Sequence, residues 1–532
     1  MSAGRWARRG GVVGAALLAS LGLTLGGGSP AESAAPAPRV LHATFASFPD
    51  YLDPQLSYTF EGWNAMYDTY IPLLTYRHAS GRAGSEVIPG LARGLPRISD
   101  GGKKYVLFLR KGLRYSNGRP VRASDFAYTV RRMRRLYSGG TPFFADIQRI
   151  VTNDRTGRIA IRLDRRRGTF TYELALPFVA LVPSGTPMYD LSADPPPATG
   201  PYVIDSSEPG VGWSYRRNPQ WGAHNAQLLP QLPSGHMDRI KVEVIRNGAA
   251  QVKGLEDGRI DWIQNPPPSN LFARIKGRYG GTQFRLEPTL SLYYFWMNTK
   301  KPPFDDLRVR RAVNYAVDPV ALARVYGDQV APTQQILPPG MPGYRKFELY
   351  PHNLKKARRL IAKADPGDRE ITVWTDSEAP NSEAGIYYAE VLRKIGFRVH
   401  LRVLGADSYF TAIGRTSRPD LDTGWSDWFE DYPHPNDFFQ PLLSGRSIFR
   451  NYNSNFAQID VPALNRRISE LSERPTVPQA GYAALDKSYM KLAPIAPYGT
   501  RVLTTFVSKR VDLSKVVWSD TFGADLTSFR FR

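Results

Sequence analysis

One segment of the chain, residues 420–441, combines acidic and aromatic side chains densely enough to form a ligand site. It holds six carboxylates, two tryptophans, four other aromatic residues and three prolines, and we expect it to form a loop. A carboxylate that leaves water needs a cationic partner, and a primary ammonium group offers three hydrogen-bond donors. Nearby indole rings would add apolar walls or cation–π contacts. The candidate residues are Trp425, Asp427, Trp428, Glu430 and Asp431.

Motifs for catalysis are missing or incomplete. HExxH, GxSxG and GK[ST] do not occur, and the seven histidines are scattered singly. Ser488 and Lys491 fit S-x-x-K, but no K-T-G motif accompanies them and both fall in a predicted amphipathic helix. The absence of cysteine excludes disulfides, thiolate metal sites and a cysteine nucleophile. We therefore predict a protein that is not an enzyme and that uses no cofactor and no metal.

The positive charge of the chain permits other partners. Its 532 residues include 70 Lys and Arg against 48 Asp and Glu, a formal net charge of +22. A charge of this size allows binding to nucleic acids or to anionic surfaces. Four arginines cluster at residues 131–135, where apolar residues repeat at helical spacing, so we predict that they form the solvated face of an amphipathic helix. No nucleic-acid reading module accompanies them, and we predict no nucleic-acid partner. The four are Arg131, Arg132, Arg134 and Arg135.

Residues 1–37 have the pattern of an export signal. Arg5, Arg8 and Arg9 precede an apolar run at residues 12–25, and small residues follow. The pattern predicts a signal peptide that is removed on export, by a Sec or a twin-arginine route. Since the apolar run is shorter than the ~20 residues of a membrane span, we expect a soluble, extracytoplasmic mature protein, at the cell surface or secreted, without a lipid-attachment cysteine. An uncleaved N-terminal anchor is the alternative.

The segment 291–319 joins a predicted strand to two predicted helices. Tyr293 to Met297 has the aromatic density of a buried strand. Asp305 or Asp306 can cap the helix that follows, and Asp318 precedes a proline at the first position of the next helix. We expect this stretch to act as a hinge.

Two further segments have predictable local structure. Residues 101–126 predict a strand, a hairpin-type turn at Asn117-Gly118 and an arginine-rich helix capped by Ser124. Residues 371–403 predict a strand, a helix and a second strand, and such crossovers build parallel or mixed sheets. The chain is therefore expected to be α/β.

These segments, in this order, resemble the extracellular solute-binding proteins of family 5, the peptide-binding components of ABC importers. The resemblance spans nearly the whole mature chain. The motifs that carry it are LDP at 52–54, the block 101–126, ATGPYV at 198–203, RNP at 217–219 with Trp221, DGRID at 257–261, and the strand with PPFDD and VRRAVNYAVD at 291–318.

The resemblance implies an α/β, two-lobed periplasmic-binding-protein-like fold of type II, in the large peptide-binder subclass, with an inserted subdomain. The first lobe would be discontinuous. The implied boundaries are 1–37 for the signal peptide, 38–76, 196–295 and 495–532 for the parts of lobe one, 77–195 for its inserted subdomain and 296–494 for lobe two.

The resemblance also implies a site. In family members that bind peptides, the Asp of a W-x-x-D-Y segment pairs with the α-ammonium of the ligand, and Trp428, Asp431 and Tyr432 match that segment. An alternative alignment on Trp425 places Asp427 in the same role. The opposite wall and the hinge would contribute Glu61, Gly62, Trp63, Tyr293, Tyr294 and Trp296.

The implied partners are a peptide ligand and the permease subunits of an ABC importer, and we expect a monomer. A non-peptide ligand on the same fold remains open, either a sugar or other small molecule, or a metal chelate held near His434. A secreted polyanion-binding protein or hydrolase is the alternative from a different class.

Overall fold

The computed structural model describes residues 37–367 and 369–532. The predicted export signal lies outside the described residues, apart from residue 37. The strands are β1 (Val40–Phe45), β2 (Leu74–Tyr76), β3 (Val87–Pro89), β4 (Arg97–Ser99), β5 (Lys104–Phe108), β6 (Ile147–Asn153), β7 (Arg158–Leu163), β8 (Tyr202–Glu208), β9 (Gly212–Arg217), β10 (Arg239–Val244), β11 (Trp262–Ile263), β12 (Phe284–Pro288), β13 (Ser291–Met297), β14 (Val330–Pro332), β15 (Glu370–Asp376), β16 (Arg398–Leu404), β17 (Thr423–Phe429), β18 (Ile495–Val507), β19 (Trp518–Ser519) and β20 (Gly523–Ala524).

The α-helices are α1 (Phe60–Met66), α2 (Ala123–Arg135), α3 (Phe170–Glu173), α4 (Ala226–Leu228), α5 (Gly248–Glu256), α6 (Ser269–Tyr279), α7 (Leu307–Ala316), α8 (Pro319–Val325), α9 (Leu354–Ala364), α10 (Asn381–Lys394), α11 (Ala406–Ile413), α12 (Asn436–Leu443), α13 (Pro462–Ser472) and α14 (Gln479–Leu492). Among the residues described, no helix combines the length and the apolar character that crossing a membrane requires.

A mixed sheet of 12 strands runs through the chain, and β18 connects its two halves. The first residues of β18 pair with β13 and β14, and its later residues pair with β12 and β11. One 13-residue strand therefore belongs to both halves. The apolar core divides in nearly the same way, with one cluster drawn from residues 290–498 and others from residues 41–286 and 503–531, except that Tyr432 packs into one of the latter clusters.

The strand–helix–helix prediction around β13 is confirmed. All seven residues of β13 are buried, and β17 and β18 pair with its two edges. Asp306 accepts a hydrogen bond from the backbone N–H of Arg308 at the start of α7, and Asp318 does the same for Val320 at the start of α8.

The predicted strand–helix–strand unit is also confirmed. Strands β15 and β16 pair in parallel over seven residues, and α10 connects them. Strand β17 pairs in parallel with the other edge of β15 and antiparallel with β13. This unit therefore places β17 in the interior of the sheet.

The predicted inserted region contains a separate sheet of four strands in the order β4-β5-β7-β6. The strand and turn predicted in residues 101–126 form as expected, with Gly118 at φ +83° in the turn. The predicted cap is wrong. The N-cap of α2 is Arg122, whose backbone N–H donates to the Asp125 carboxylate. Ser124 lies in the first turn, and its hydroxyl donates to the Asp154 carboxylate.

The prediction that all four clustered arginines face solvent is wrong for Arg132. Its side chain is fully buried and donates two hydrogen bonds to the Asp53 carboxylate, at 2.7 and 2.5 Å, and a third to Gln55. Asp53 belongs to the LDP motif, 79 residues earlier in the chain. Helical spacing alone cannot distinguish a solvated arginine from one that meets a buried carboxylate.

Candidate functional site

The acidic and aromatic segment 420–441 is not the loop that we expected. Its first half is β17, whose residues 423–426 are all buried. Because β17 lies between β13 and β15, both of its edges are paired, and residues 423–426 are buried on its two faces. Asp427 lies near the end of β17, and Glu430 and Asp431 follow the strand.

A cavity of about 280 Å³ opens at this end of β17. Four of the predicted site residues line it: Trp63, Asp427, Trp428 and Asp431. Glu430, named as a third candidate carboxylate, lines it too. The other lining residues were not predicted, because their types are common and they come from several separate parts of the chain; they are Tyr58, Thr59, Phe60, Phe410, Phe429 and Thr521.

Asp431 faces this cavity with few partners of its own. The hydroxyl of Tyr58 donates to its carboxylate, and its backbone N–H donates to Asp437 Oδ2 at 2.8 Å. Burial raises the pKa of Asp431 to about 7, against the lowering effect of Tyr58. Trp428 Nε1 also approaches Asp437, at 3.4 Å. The carboxylate is therefore largely desolvated and has no cationic hydrogen-bond partner among the described residues.

The pKa of Asp427 is shifted in nearly the same way as that of Asp431. Burial raises its pKa to about 7, while the hydroxyl of Tyr293 donates to it and the positive charge of Arg501 lowers the pKa slightly. Asp427 and Asp431 thus both remain candidates for the role of cation acceptor.

Three predicted contact residues lie in the core and support β17 from behind. Trp296 is fully buried and donates from Nε1 to the carbonyl oxygen of Trp425 at 3.2 Å. The indole of Trp425 is 1% exposed and donates to the hydroxyl of Tyr498 at 2.9 Å. Tyr294 is 2% exposed. The structure does not place these three side chains in the cavity lining.

Tyr432 and His434 contact a distant part of the chain. The ring of Tyr432 lies 6.2 Å from that of Phe143, and the ring of His434 lies 5.2 Å from that of Tyr172. Burial lowers the pKa of His434 to about 3, and its Nδ1 accepts from the backbone N–H of Asn436. Both residues are buried outside the cavity lining, so they fix the segment in place across the cleft.

The residues predicted for the opposite wall lie on α1. Trp63 lines the cavity and donates from Nε1 to the carbonyl oxygen of Ser57 at 3.0 Å. Gly62 lies against Ser57, whose Oγ would be 1.9 Å from a Cβ atom at this position. Glu61 lies beside Asp50, and burial and the charge of Asp50 raise its pKa. Neither Glu61 nor Gly62 is in the lining.

The fold agrees with the comparison with known proteins. The family model described as "Bacterial extracellular solute-binding proteins, family 5 Middle" matches residues 86–449. The chain belongs to this family. The resemblance stated from the sequence is therefore confirmed.

Several known proteins are similar to this chain in sequence or in fold. The heme-binding protein A of Haemophilus influenzae is 25% identical over 423 residues, covering 73% of this chain and 74% of that protein. A probable di/tripeptide-binding protein of Pseudomonas aeruginosa is 24% identical over 423 residues, covering 72% and 76%. The solved structure of clavulanic acid biosynthesis oligopeptide binding protein 2 superposes with a TM-score of 0.84 at 24% identity, covering 93% of this chain and 96% of that one. The two-lobed α/β fold predicted for this chain is confirmed, whereas its domain boundaries stay a prediction.

Proposed function

We propose that this protein captures short peptides in the cavity at the end of β17 and delivers them to the permease of an ABC importer. The observation that carries the proposal is the pair Asp427 and Asp431, two desolvated carboxylates in a cavity whose eleven lining residues include no lysine, arginine or histidine. A peptide amino terminus supplies the missing cation and three hydrogen-bond donors. A relative named for di- and tripeptide binding supports a peptide as the ligand.

The cavity favours a ligand of modest size. Its volume of about 280 Å³ is just below the typical range of ligand sites, ~300–1,000 Å³. Phe60, Trp63 and Trp428 provide apolar surface around the carboxylates. A short peptide would bring an ammonium group to the carboxylates and apolar atoms to the rings.

Capture of this kind needs neither catalysis nor a cofactor. Two lobes joined by β13 and β18 can close around a ligand and present the closed surface to membrane subunits. We propose that the protein works outside the membrane, as a monomer and not as an enzyme. The protein would bind its ligand and release it unchanged.

The test compares Asp431→Asn with Asp427→Asn, using the dipeptide Ala-Ala and its N-acetylated form in calorimetric titrations. If Asp431 holds the amino terminus, Asp431→Asn loses roughly 10²- to 10³-fold in affinity, since removal of one partner of a desolvated ion pair typically costs ~3–5 kcal/mol. Acetylation should then have little further effect on that variant.

The Asp427→Asn variant is the matched control. It should still prefer the free amino terminus over the acetylated one. The opposite pattern would move the anchor to Asp427. Equal binding of both peptides by the unmodified protein and by both variants would reject recognition of the amino terminus and favour a non-peptide ligand.

A further inference from the structure

One face of the sheet β4-β5-β7-β6 is basic and open to solvent. Strands β5 and β7 bury alternate residues in the core, so their other residues form an outer face that is exposed or half-buried. Residues directly opposite each other on neighbouring strands share a face, and the pairings place all five basic residues of the sheet on the outer one. We call it the basic sheet face, and its cations are Arg97, Lys104, Arg149, Arg158 and Arg162.

The protein itself neutralises little of this charge. Arg162 pairs with Asp100 at 2.6 Å, and both side chains are about half exposed. The other four cations make no ion pair with any residue that the structure describes. Lys104 and Arg149 lie directly opposite Arg162 on the two neighbouring strands, and like charges in that position repel. Because this arrangement works against folding, a partner that supplies negative charge gives it a physical reason.

A second basic feature adjoins this face. A cavity of about 220 Å³ lies between α2 and the edge strand β6, and its eight lining residues include three arginines and no acid. Arg131 and Arg149 are exposed on its two sides. Arg134 is fixed in place, because its Nη2 donates to the carbonyl oxygens of Phe144 and Ile147 at 2.5 and 3.1 Å. Guanidinium groups bind phosphate oxygens through paired N–H bonds, so this cavity suits a phosphate group.

The composition of the basic sheet face favours a lipid surface over a protein partner. The centre of a protein interface is usually depleted in charged residues, especially lysine, and enriched in aromatic ones. On this face the cations are spread over all four strands, and Val106, Val151 and Ala160 lie between them. A bilayer of anionic phospholipids presents a phosphate on every headgroup and attracts clustered Lys and Arg without a complementary shape. The charge of the face therefore matches such a bilayer.

We propose that the basic sheet face docks the protein on anionic phospholipid headgroups, and that the cavity of Arg131, Arg134 and Arg149 holds the phosphate of one of them. The contact is electrostatic and reversible, so it keeps the protein beside the membrane that carries the importer without inserting any segment of the chain. Docking does not depend on which ligand the cleft between the lobes takes. It adds a membrane-binding function to ligand capture.

The experiment measures co-sedimentation of the protein with vesicles of phosphatidylcholine alone or of phosphatidylcholine and phosphatidylglycerol in equal amounts. At about 50 mM salt the unmodified protein should bind the anionic vesicles at least about tenfold more tightly, and about 500 mM salt should abolish the difference by screening. Each Lys or Arg near an anionic surface contributes about fivefold to binding. The combined change Lys104→Gln, Arg149→Gln and Arg162→Gln should therefore weaken binding to anionic vesicles by roughly 10²-fold.

The matched control removes the same charge from a helix in the other half of the sheet. Lys355, Arg359 and Lys363 are exposed on α9, and replacing all three by Gln should leave vesicle binding within about threefold of the unmodified protein. A double change at the cavity, Arg131→Gln with Arg149→Gln, tests the phosphate site and should weaken binding by at least about tenfold. Thermal unfolding of all three variants checks that the fold is retained.

Four outcomes would overturn the proposal. Equal losses in the two triple variants would show that net charge, and not the basic sheet face, drives binding. Equal binding of the unmodified protein to both kinds of vesicle would exclude an anionic lipid as the partner. Release by inorganic phosphate at constant ionic strength would make a free anion the ligand. Retention only on vesicles that carry the membrane subunits of the importer would make the partner a protein. Each outcome leaves peptide capture untouched, since Ala-Ala binding is measured separately.

Discussion

Two regions of this protein use charge in opposite ways. Residues 77–195 contain 22 Lys and Arg against 9 Asp and Glu, and the four strands of their sheet contain five basic residues and no acidic one. Residues 420–441 contain six Asp and Glu and no Lys or Arg. The basic residues of that sheet are Arg97, Lys104, Arg149, Arg158 and Arg162.

The difference lies in exposure to water. Arg97, Arg149 and Arg162 are exposed, so water solvates their charges at little cost. The acids at the end of β17 face a small cavity, and burial raises the pKa of Asp427 and Asp431 to about 7. A net charge of +22 therefore says little about the ligand. The few desolvated acids say more, because folding alone gives no reason to leave them unpaired.

The largest expected effect concerns Arg132, the arginine of α2 whose side chain is fully buried. Arg132→Gln leaves the Asp53 carboxylate buried without its cation, and we expect a loss of about 3–5 kcal/mol of unfolding free energy. Arg131→Gln, one residue earlier and exposed, should change it by less than about 0.5 kcal/mol. Urea denaturation of both variants measures the contrast. Similar losses in the two would show that burial does not distinguish them.

A smaller change in the unfolding free energy, of opposite sign, is expected when Asp431 in the cavity is replaced. The pKa of Asp431 is raised to about 7 in the folded protein and is ~3.9 in an unfolded chain, so its ionisation destabilises the fold as pH rises between these values. Asp431→Asn should therefore raise the unfolding free energy of the ligand-free protein at pH 8, by roughly 1 kcal/mol or more. The gain should disappear near pH 4. Thermal melts across this range would contradict the account if the variant were less stable at pH 8.

The smallest effect is expected on the four-stranded sheet. Lys104 and Arg149 lie directly opposite Arg162 on its two neighbouring strands, and like charges in that position repel. Replacing all three by Gln should change the unfolding free energy by less than about 1 kcal/mol and peptide affinity by less than twofold. Elution from a cation exchanger should shift to lower salt. A large loss of peptide affinity would mean that this surface takes part in capture.

Much of the fold was predictable because local chemistry fixes it. The aromatic run of β13, the caps at Asp306 and Asp318 and the unit from β15 to β16 all follow from neighbouring residues. Two features depended on distant contacts and were mispredicted: Asp53 buries Arg132, and β13 and β15 enclose β17. The third misprediction is local, because the N-cap of α2 is Arg122, whose backbone N–H donates to Asp125, and not Ser124.

The site was predictable in part for the same reason. Trp428, Asp427 and Asp431 lie in one short segment whose composition is unusual, and Trp63 follows the LDP motif of residues 52–54. Thr521 and Phe410 reach the cavity from distant elements that carry no unusual local pattern. The aromatic residues of β13 were candidates by type, yet their place beside β17 makes them support for the site.

The most direct test of the central claim, that desolvated carboxylates await a ligand ammonium, is the number of protons released on binding. Calorimetric titration of Ala-Ala at pH 6.5, in two buffers of different ionisation enthalpy, gives this number. A carboxyl group with a pKa of about 7 is mostly protonated at this pH, so pairing with an ammonium group should release roughly half a proton or more. The release should decrease in Asp431→Asn if Asp431 is the anchor, and in Asp427→Asn if it is Asp427. Tight binding of Ala-Ala without proton release, or with the same release from its N-acetylated form, would contradict the account.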